Sequence, residues 1–104
     1  MTPEELLKLI DGKRAPGILD VRSEWEYKRG HVPGAAHIPF WKVGTRVDEI
    51  PSRKNEPLVV YCGHGPRAWI ARTLLRWRGT ANVCLLEGHM AGWRRAGLGE
   101  QSGR

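Results

Sequence analysis

Apolar positions along this chain follow two rhythms. Short runs, Ile18-Leu19 with Val21, Leu58 to Tyr61 and Val83 to Leu86, read as buried strands. Between them apolar residues recur at helical spacing. Leu6, Leu9 and Ile10 mark a first helix. Thr2 can cap it, Pro3 suits its first turn, Glu5 completes a capping box and Gly12 ends it. Ser23 and Glu26 form a second capping box, opening a helix that stops at Gly30. His31 to Ala35 is a turn marked by Pro33-Gly34, and Ile38 starts a brief extended segment. Between Trp41 and Ile50, Val43, Val47 and Ile50 suggest a helix and Gly44 speaks against one. Pro51 to Pro57 reads as a polar loop.

From Arg67 the pattern is helical to Trp77, with Gly79 closing it. Ile70, Leu74 and Trp77 share one face, and Arg72 and Arg76 lie opposite. Gly88 to Gly92 reads as a loop, Trp93 to Ala96 as a short last helix, and residues 98–104 as a frayed, flexible tail. Helices alternating with short apolar strands predict an α/β class with a mainly parallel sheet. At 104 residues the chain is expected to form a single domain, 1–104.

Composition narrows the function classes. A hydrophobic share of 40% with five tryptophans fits a globular fold. No apolar run approaches the roughly 20 residues of a membrane span, so no membrane partner is expected. The polar, acidic start is not a secretory signal, and a cytoplasmic location is expected. A net charge of +6 attracts anions. The basic residues form no run, which argues against a nucleic-acid module. Most are read as general surface charge, with a basic rim steering a small anionic substrate as the sharper reading. Two cysteines in such a chain do not favour a disulfide.

The chemistry concentrates at Cys62. The Leu58–Tyr61 run leads straight into Cys62-Gly63-His64-Gly65-Pro66-Arg67 and then a helix. That order places a thiol at the carboxyl end of a buried strand, where open α/β sheets bind ligands. Loop amides and a helix N-terminus there stabilise an anion and depress a thiol pKa. Cys62 is therefore the expected nucleophile. Gly63 and Gly65 serve the backbone by letting amides approach closely. Arg67 is placed to bind an anionic donor group and to lower the cysteine pKa. His64 either donates a hydrogen bond or points to solvent. Trp41 is read as core and Cys84 as inert. A zinc site from Cys62, His64, Cys84 and His89 fits no common spacing, so neither metal nor cofactor is expected.

Four motifs in order resemble the rhodanese (sulfurtransferase) family. They are Asp20-Val21-Arg22, Glu26-Tyr27 running to Gly30-His31-Val32-Pro33-Gly34-Ala35, the loop Cys62 to Arg67, and Leu86-Glu87-Gly88 followed by Trp93. The resemblance implies a three-layer α/β fold with a five-stranded, mostly parallel sheet flanked by helices. It implies a cysteine that carries sulfane sulfur as a persulfide. It also implies a structural role for Asp20 and Arg22, with Glu26 and His31 as partners in the same scaffold. One departure is visible: where the family often has Gly-Gly, this chain has Gly88-His89. Related phosphatases use a loop one residue longer, and the position they need as arginine is Ala68 here.

The expected activity is therefore that of a thiosulfate sulfurtransferase. Sulfur would move from thiosulfate or a similar anionic donor to cyanide or a thiol through a Cys62 persulfide. The alternative is a persulfide carrier or binding module that delivers sulfur only to a protein partner. The residues do not separate these two. A cysteine-dependent phosphatase or arsenate reductase fits the loop length poorly.

Overall fold

A computed structural model describes residues 1–51, 57–80 and 82–103. The elements run α1 (Pro3–Asp11), β1 (Ile18–Asp20), α2 (Glu24–Arg29), β2 (Ala36–His37), β3 (Leu58–Tyr61), α3 (Pro66–Trp77), β4 (Val83–Leu85) and α4 (His89–Arg95). Between β2 and β3 the ambiguous stretch resolves into two 3₁₀ turns, Phe40–Thr45 and Val47–Glu49. Most of the loop expected before β3 lies outside the described residues.

Both capping boxes form. Glu5 N–H donates to Thr2 Oγ1 at 3.1 Å, and Thr2 N–H donates to Glu5 Oε1 at 2.9 Å. Ser23 and Glu26 make the same reciprocal pair at the start of α2. These local contacts satisfy N–H groups that have no partner within the helix.

The sheet is parallel throughout, in the order β2-β1-β3-β4. The described residues give four strands where five were expected. Beyond β4, Met1 makes two backbone contacts: Glu87 N–H donates to its carbonyl at 2.9 Å, and its amino group donates to Leu85 O at 3.4 Å. Among the described residues these two contacts do not form a fifth strand. The brief extended segment expected from Ile38 falls just before it, at Ala36–His37.

Successive residues of β3 face opposite layers, as the pleat requires. Leu58 and Val60, with Cys62 beyond them, pack with Leu19, Val21, Ile38, Val43, Ala68, Ala71 and Leu75. Val59 and Tyr61 pack on the other side with Leu6, Ile18, Val32, Leu86, Met90 and Trp93. Thus α3 and the first 3₁₀ turn cover one face, and α1 and α4 cover the other. This is the three-layer α/β fold expected from the chain.

Several local expectations are corrected. The buried face of α3 is Ala68, Ala71 and Leu75, while Ile70 and Trp77 are exposed. Trp41 lies on the surface, edge-on to Phe40. The last helix begins at His89, inside the stretch read as a loop. Gly92 fits within it because a Cβ on Gly88 would come 2.9 Å from the Gly92 Cα, so the backbone passes too closely for side chains. The segment after α4 is tied down. His31 and Gln101 exchange backbone hydrogen bonds at 2.8 and 2.9 Å, Gly34 N–H donates to Gln101 Oε1, and Gly103 N–H donates to Lys28 O.

Candidate active site

The parallel sheet aims the carboxyl ends of β1 and β3 at the same edge. Cys62 follows β3 there, wholly shielded from solvent. The chain then turns through Gly63, His64 and Gly65 into α3, with Pro66 in its first turn. Gly65 has φ +137°, which an L side chain rarely adopts. This conformation lets Gly65 N–H turn back and donate to Cys62 Sγ at 3.0 Å.

Burial by itself would push the Cys62 thiol up. The opposing contacts prevail and lower it from 9.0 to about 7. The His89 side chain is the largest of these, followed by the backbone N–H groups of Ala68, Gly65 and His64. Near neutral pH a substantial share of Cys62 is therefore thiolate.

Arg67 lies at the end of the loop, but its guanidinium is not free. It makes a two-pronged ion pair with Glu26, Nη1 to Oε1 at 2.5 Å and Nη2 to Oε2 at 3.0 Å. The hydrogen bond to Arg67 chiefly holds the Glu26 carboxyl down at about 2, well below 4.5. A Cβ on Gly63 would approach Arg67 Nη2 to 3.0 Å, so the pair sits directly against the loop. Glu26 also borders a cavity of about 320 Å³ with Arg22, Trp25, Arg29 and Arg94; Cys62 is not among its lining residues. The His64 side chain is exposed.

Asp20 and Arg22 form a buried pair beneath this region. Arg22 Nε reaches Asp20 Oδ2 at 3.0 Å, and Nη2 reaches the same oxygen at 2.7 Å. The Arg22 Nη2 group also donates to Gly30 O at 2.7 Å, joining the end of β1 to the end of α2. His31 belongs to the same scaffold: it is buried, its Nδ1 meets Tyr27 O at 2.7 Å, and its ring stacks on Tyr27.

His89 is the site residue that the sequence reading left unassigned. Cys62 N–H donates to its Nδ1 at 3.2 Å. The signal was visible as the departure at Gly88-His89, but only the fold shows that the ring meets Cys62. Cys84 is half-buried on β4 opposite Val59, with the Met1 amino group 3.5 Å from its sulfur. Among the described residues, no group of three or more His, Cys, Asp or Glu side chains is arranged to hold a metal ion. None of the helices there is long and apolar enough to cross a membrane.

Comparison with known proteins matches the rhodanese-like domain model over residues 2–96. The thiosulfate sulfurtransferase GlpE of Pseudomonas entomophila is 30% identical over 102 residues, covering 96% of this chain and 88% of that protein. A putative sulfur carrier protein of Bacillus subtilis, YrkF, is 30% identical over 90 residues, covering 86% of this chain and 48% of its own length. The chain thus spans about half of that relative. The solution structure of the rhodanese-like domain from the Anabaena sp. Alr3790 protein superposes with a TM-score of 0.84 at 28% identity, covering 98% of this chain and 77% of that one.

Proposed function

The chain belongs to the rhodanese-like family, and on that premise we propose that it is a sulfurtransferase acting through Cys62, with thiosulfate or a similar anion as donor. The observation that carries this reading is the Gly65 N–H turned back onto the Cys62 sulfur at 3.0 Å, in a setting that lowers the thiol pKa to about 7. Such a group is a nucleophile at neutral pH without a general base.

The Cys62 thiolate attacks the outer sulfur of thiosulfate. A sulfur–sulfur bond forms to Cys62, the bond to the sulfonate sulfur breaks, and sulfite leaves with that electron pair. Cys62 is then a persulfide anion. Cyanide attacks its terminal sulfur, thiocyanate departs and the thiolate returns. A thiol acceptor takes the same sulfur and releases its own proton. The loop amides that face the thiolate remain to stabilise the persulfide charge, in the manner of an oxyanion hole.

Arg67 frames this loop from the Glu26 pair. With its charge largely matched by Glu26, donor recognition falls mainly on loop N–H groups and the surrounding positive field. His64, exposed at the loop tip, is in position to meet a donor or a partner surface. Asp20 and Arg22 hold the strand end on which the loop rests. At position 68 a buried Ala stands where a longer phosphoryl-binding loop needs arginine, which disfavours phosphatase or arsenate-reductase chemistry.

The relative named as a putative sulfur carrier supports a second reading, in which the same persulfide passes only to a protein partner. Intact mass before and after thiosulfate, and again after cyanide, tests both. A gain of one sulfur, reversed by cyanide and absent in Cys62→Ser, supports the transferase. Loading that cyanide does not reverse supports the carrier. Loading retained in Cys62→Ser, or no loading of reduced wild type, overturns thiosulfate transfer through this thiol.

A further inference from the structure

The ring of His89 stands against the Cys62 backbone with one of its two nitrogens already committed. Cys62 N–H has only a proton to offer, so Nδ1 must accept it at 3.2 Å. A neutral imidazole in that contact carries its own proton on Nε2. Nε2 points to the active-site loop, 3.4 Å from where a Cβ on Gly65 would stand. The Gly65 N–H is the group that donates to Cys62 Sγ at 3.0 Å. The free edge of the ring therefore borders the same residue whose amide holds the sulfur.

The ring is held there firmly. Met90 N–H donates to Cys62 O at 2.9 Å, and Ala91 N–H donates to Gly63 O at 3.1 Å, so the start of α4 is pinned to the loop backbone. His89 is only 8% exposed, so water competes little for Nε2. Its φ of +53° lies in the left-handed region, where a residue other than glycine is uncommon. Glycine would relieve that strain, and histidine stands there instead.

We propose that His89 is a fixed hydrogen-bond donor to the Cys62 sulfur, holding it as thiolate and then as persulfide, and not a base. With Nδ1 occupied by the Cys62 amide, the ring has no free lone pair for an acceptor's proton. The other charged or titratable side chains around the thiol are Arg67 of α3, with Glu26 of α2 on its guanidinium, the Asp20–Arg22 pair at the end of β1, and His64 of the loop. None of them occupies the second contact that His89 makes with the Cys62 amide. For its kinetic consequence the inference rests on the sulfurtransferase reading; for its effect on the thiol it does not.

The test is a titration of Cys62 by ultraviolet thiolate absorbance, taking Cys62→Ser as background, in wild type, His89→Gly and His89→Gln. Glycine removes the ring and suits the positive φ, so the fold should survive. The midpoint in His89→Gly should rise by about one pH unit, a tenfold loss of thiolate below it. Glutamine offers an acceptor and a donor in one side chain, and its midpoint should return toward wild type. Sulfur loading below pH 7 should slow about tenfold in His89→Gly and recover in His89→Gln. An unchanged midpoint in folded His89→Gly, or Gln behaving no better than Gly, overturns the proposal. Shifted midpoints in a protein that never takes up sulfur would keep this inference and refute the transferase reading.

Discussion

Arg67 and Glu26, 41 residues apart in sequence, face each other as a matched fork, with two nitrogens of one guanidinium on two oxygens of one carboxylate. Ser23 at the cap of α2 holds the same carboxylate through its own N–H and hydroxyl. The capping box of α2 thereby fixes the arginine at the start of α3, and two helices and the Cys62 loop share one polar joint.

That joint should make stability fall in acid. The Glu26 carboxyl is lowered to about 2 in the folded chain and returns to about 4.5 when unfolded. Its contribution is fully present above the unfolded value. It is lost as pH falls from about 4.5 through about 2, because the unfolded chain takes up the proton first. Partial exposure reduces its size to about 1–2 kcal/mol. Urea unfolding from pH 6 down to pH 2 should show this loss, and Glu26→Gln should flatten it. An identical acid slope in Glu26→Gln would mean that other carboxylates carry it.

The Asp20–Arg22 pair is nearly inaccessible to solvent. Removing one buried ion leaves its partner uncompensated, so Asp20→Ala should destabilise the fold by about 3–5 kcal/mol. The double variant Asp20→Ala with Arg22→Met leaves no lone charge and should be more stable than Asp20→Ala alone. Denaturant midpoints for the single and double variants decide this. A double variant less stable than the single one would show that Arg22 matters more through Gly30 O and its packing than through Asp20.

Gly65 joins backbone geometry to thiol chemistry. An alanine there must hold φ near +137° with its methyl 3.4 Å from His89 Nε2. The strain is about 1–3 kcal/mol. If the loop relaxes instead, the amide that donates to Cys62 Sγ turns away. Gly65→Ala should therefore raise the Cys62 midpoint and slow sulfur loading while the chain still folds. A variant with lowered stability but an unchanged thiol titration would remove the Gly65 amide from the list of effective donors.

What could be read in the sequence was mostly local. Thr2 with Glu5, and Ser23 with Glu26, specify helix starts within four residues. The run Leu58–Tyr61 into Cys62 specifies the strand, the loop and the place of the thiol in one stretch. What could not be read depends on contacts between distant segments. His89 is 27 residues from Cys62 and lies in a stretch whose glycines look like a loop. They serve close backbone packing instead. The tail looks free until Gln101 meets His31 across the fold. Nothing near Arg67 in sequence announces Glu26 as its partner, and only the fold brings the two together.

The face of α3 differs from the one that periodicity alone selects. By spacing alone Ile70, Leu74 and Trp77 form an apolar stripe, yet Ile70 is 43% exposed and Trp77 is 87% exposed. The helix begins at the loop, and the Ala68 N–H is among the groups that lower the Cys62 thiol. Ala68 is turned inward, and helical spacing carries Ala71 and Leu75 in with it. Small residues there let α3 lie close to β3. Leu75→Ala should cost about 2–5 kcal/mol through the cavity it leaves. Ala71→Leu should cost about 1–3 kcal/mol by overpacking. Ile70→Ser and Trp77→Gln should each change stability by no more than about 0.5 kcal/mol. Urea unfolding of the four variants checks the order. If Trp77→Gln proved as costly as Leu75→Ala, the helix would be rotated from the phase that buries Ala68, Ala71 and Leu75.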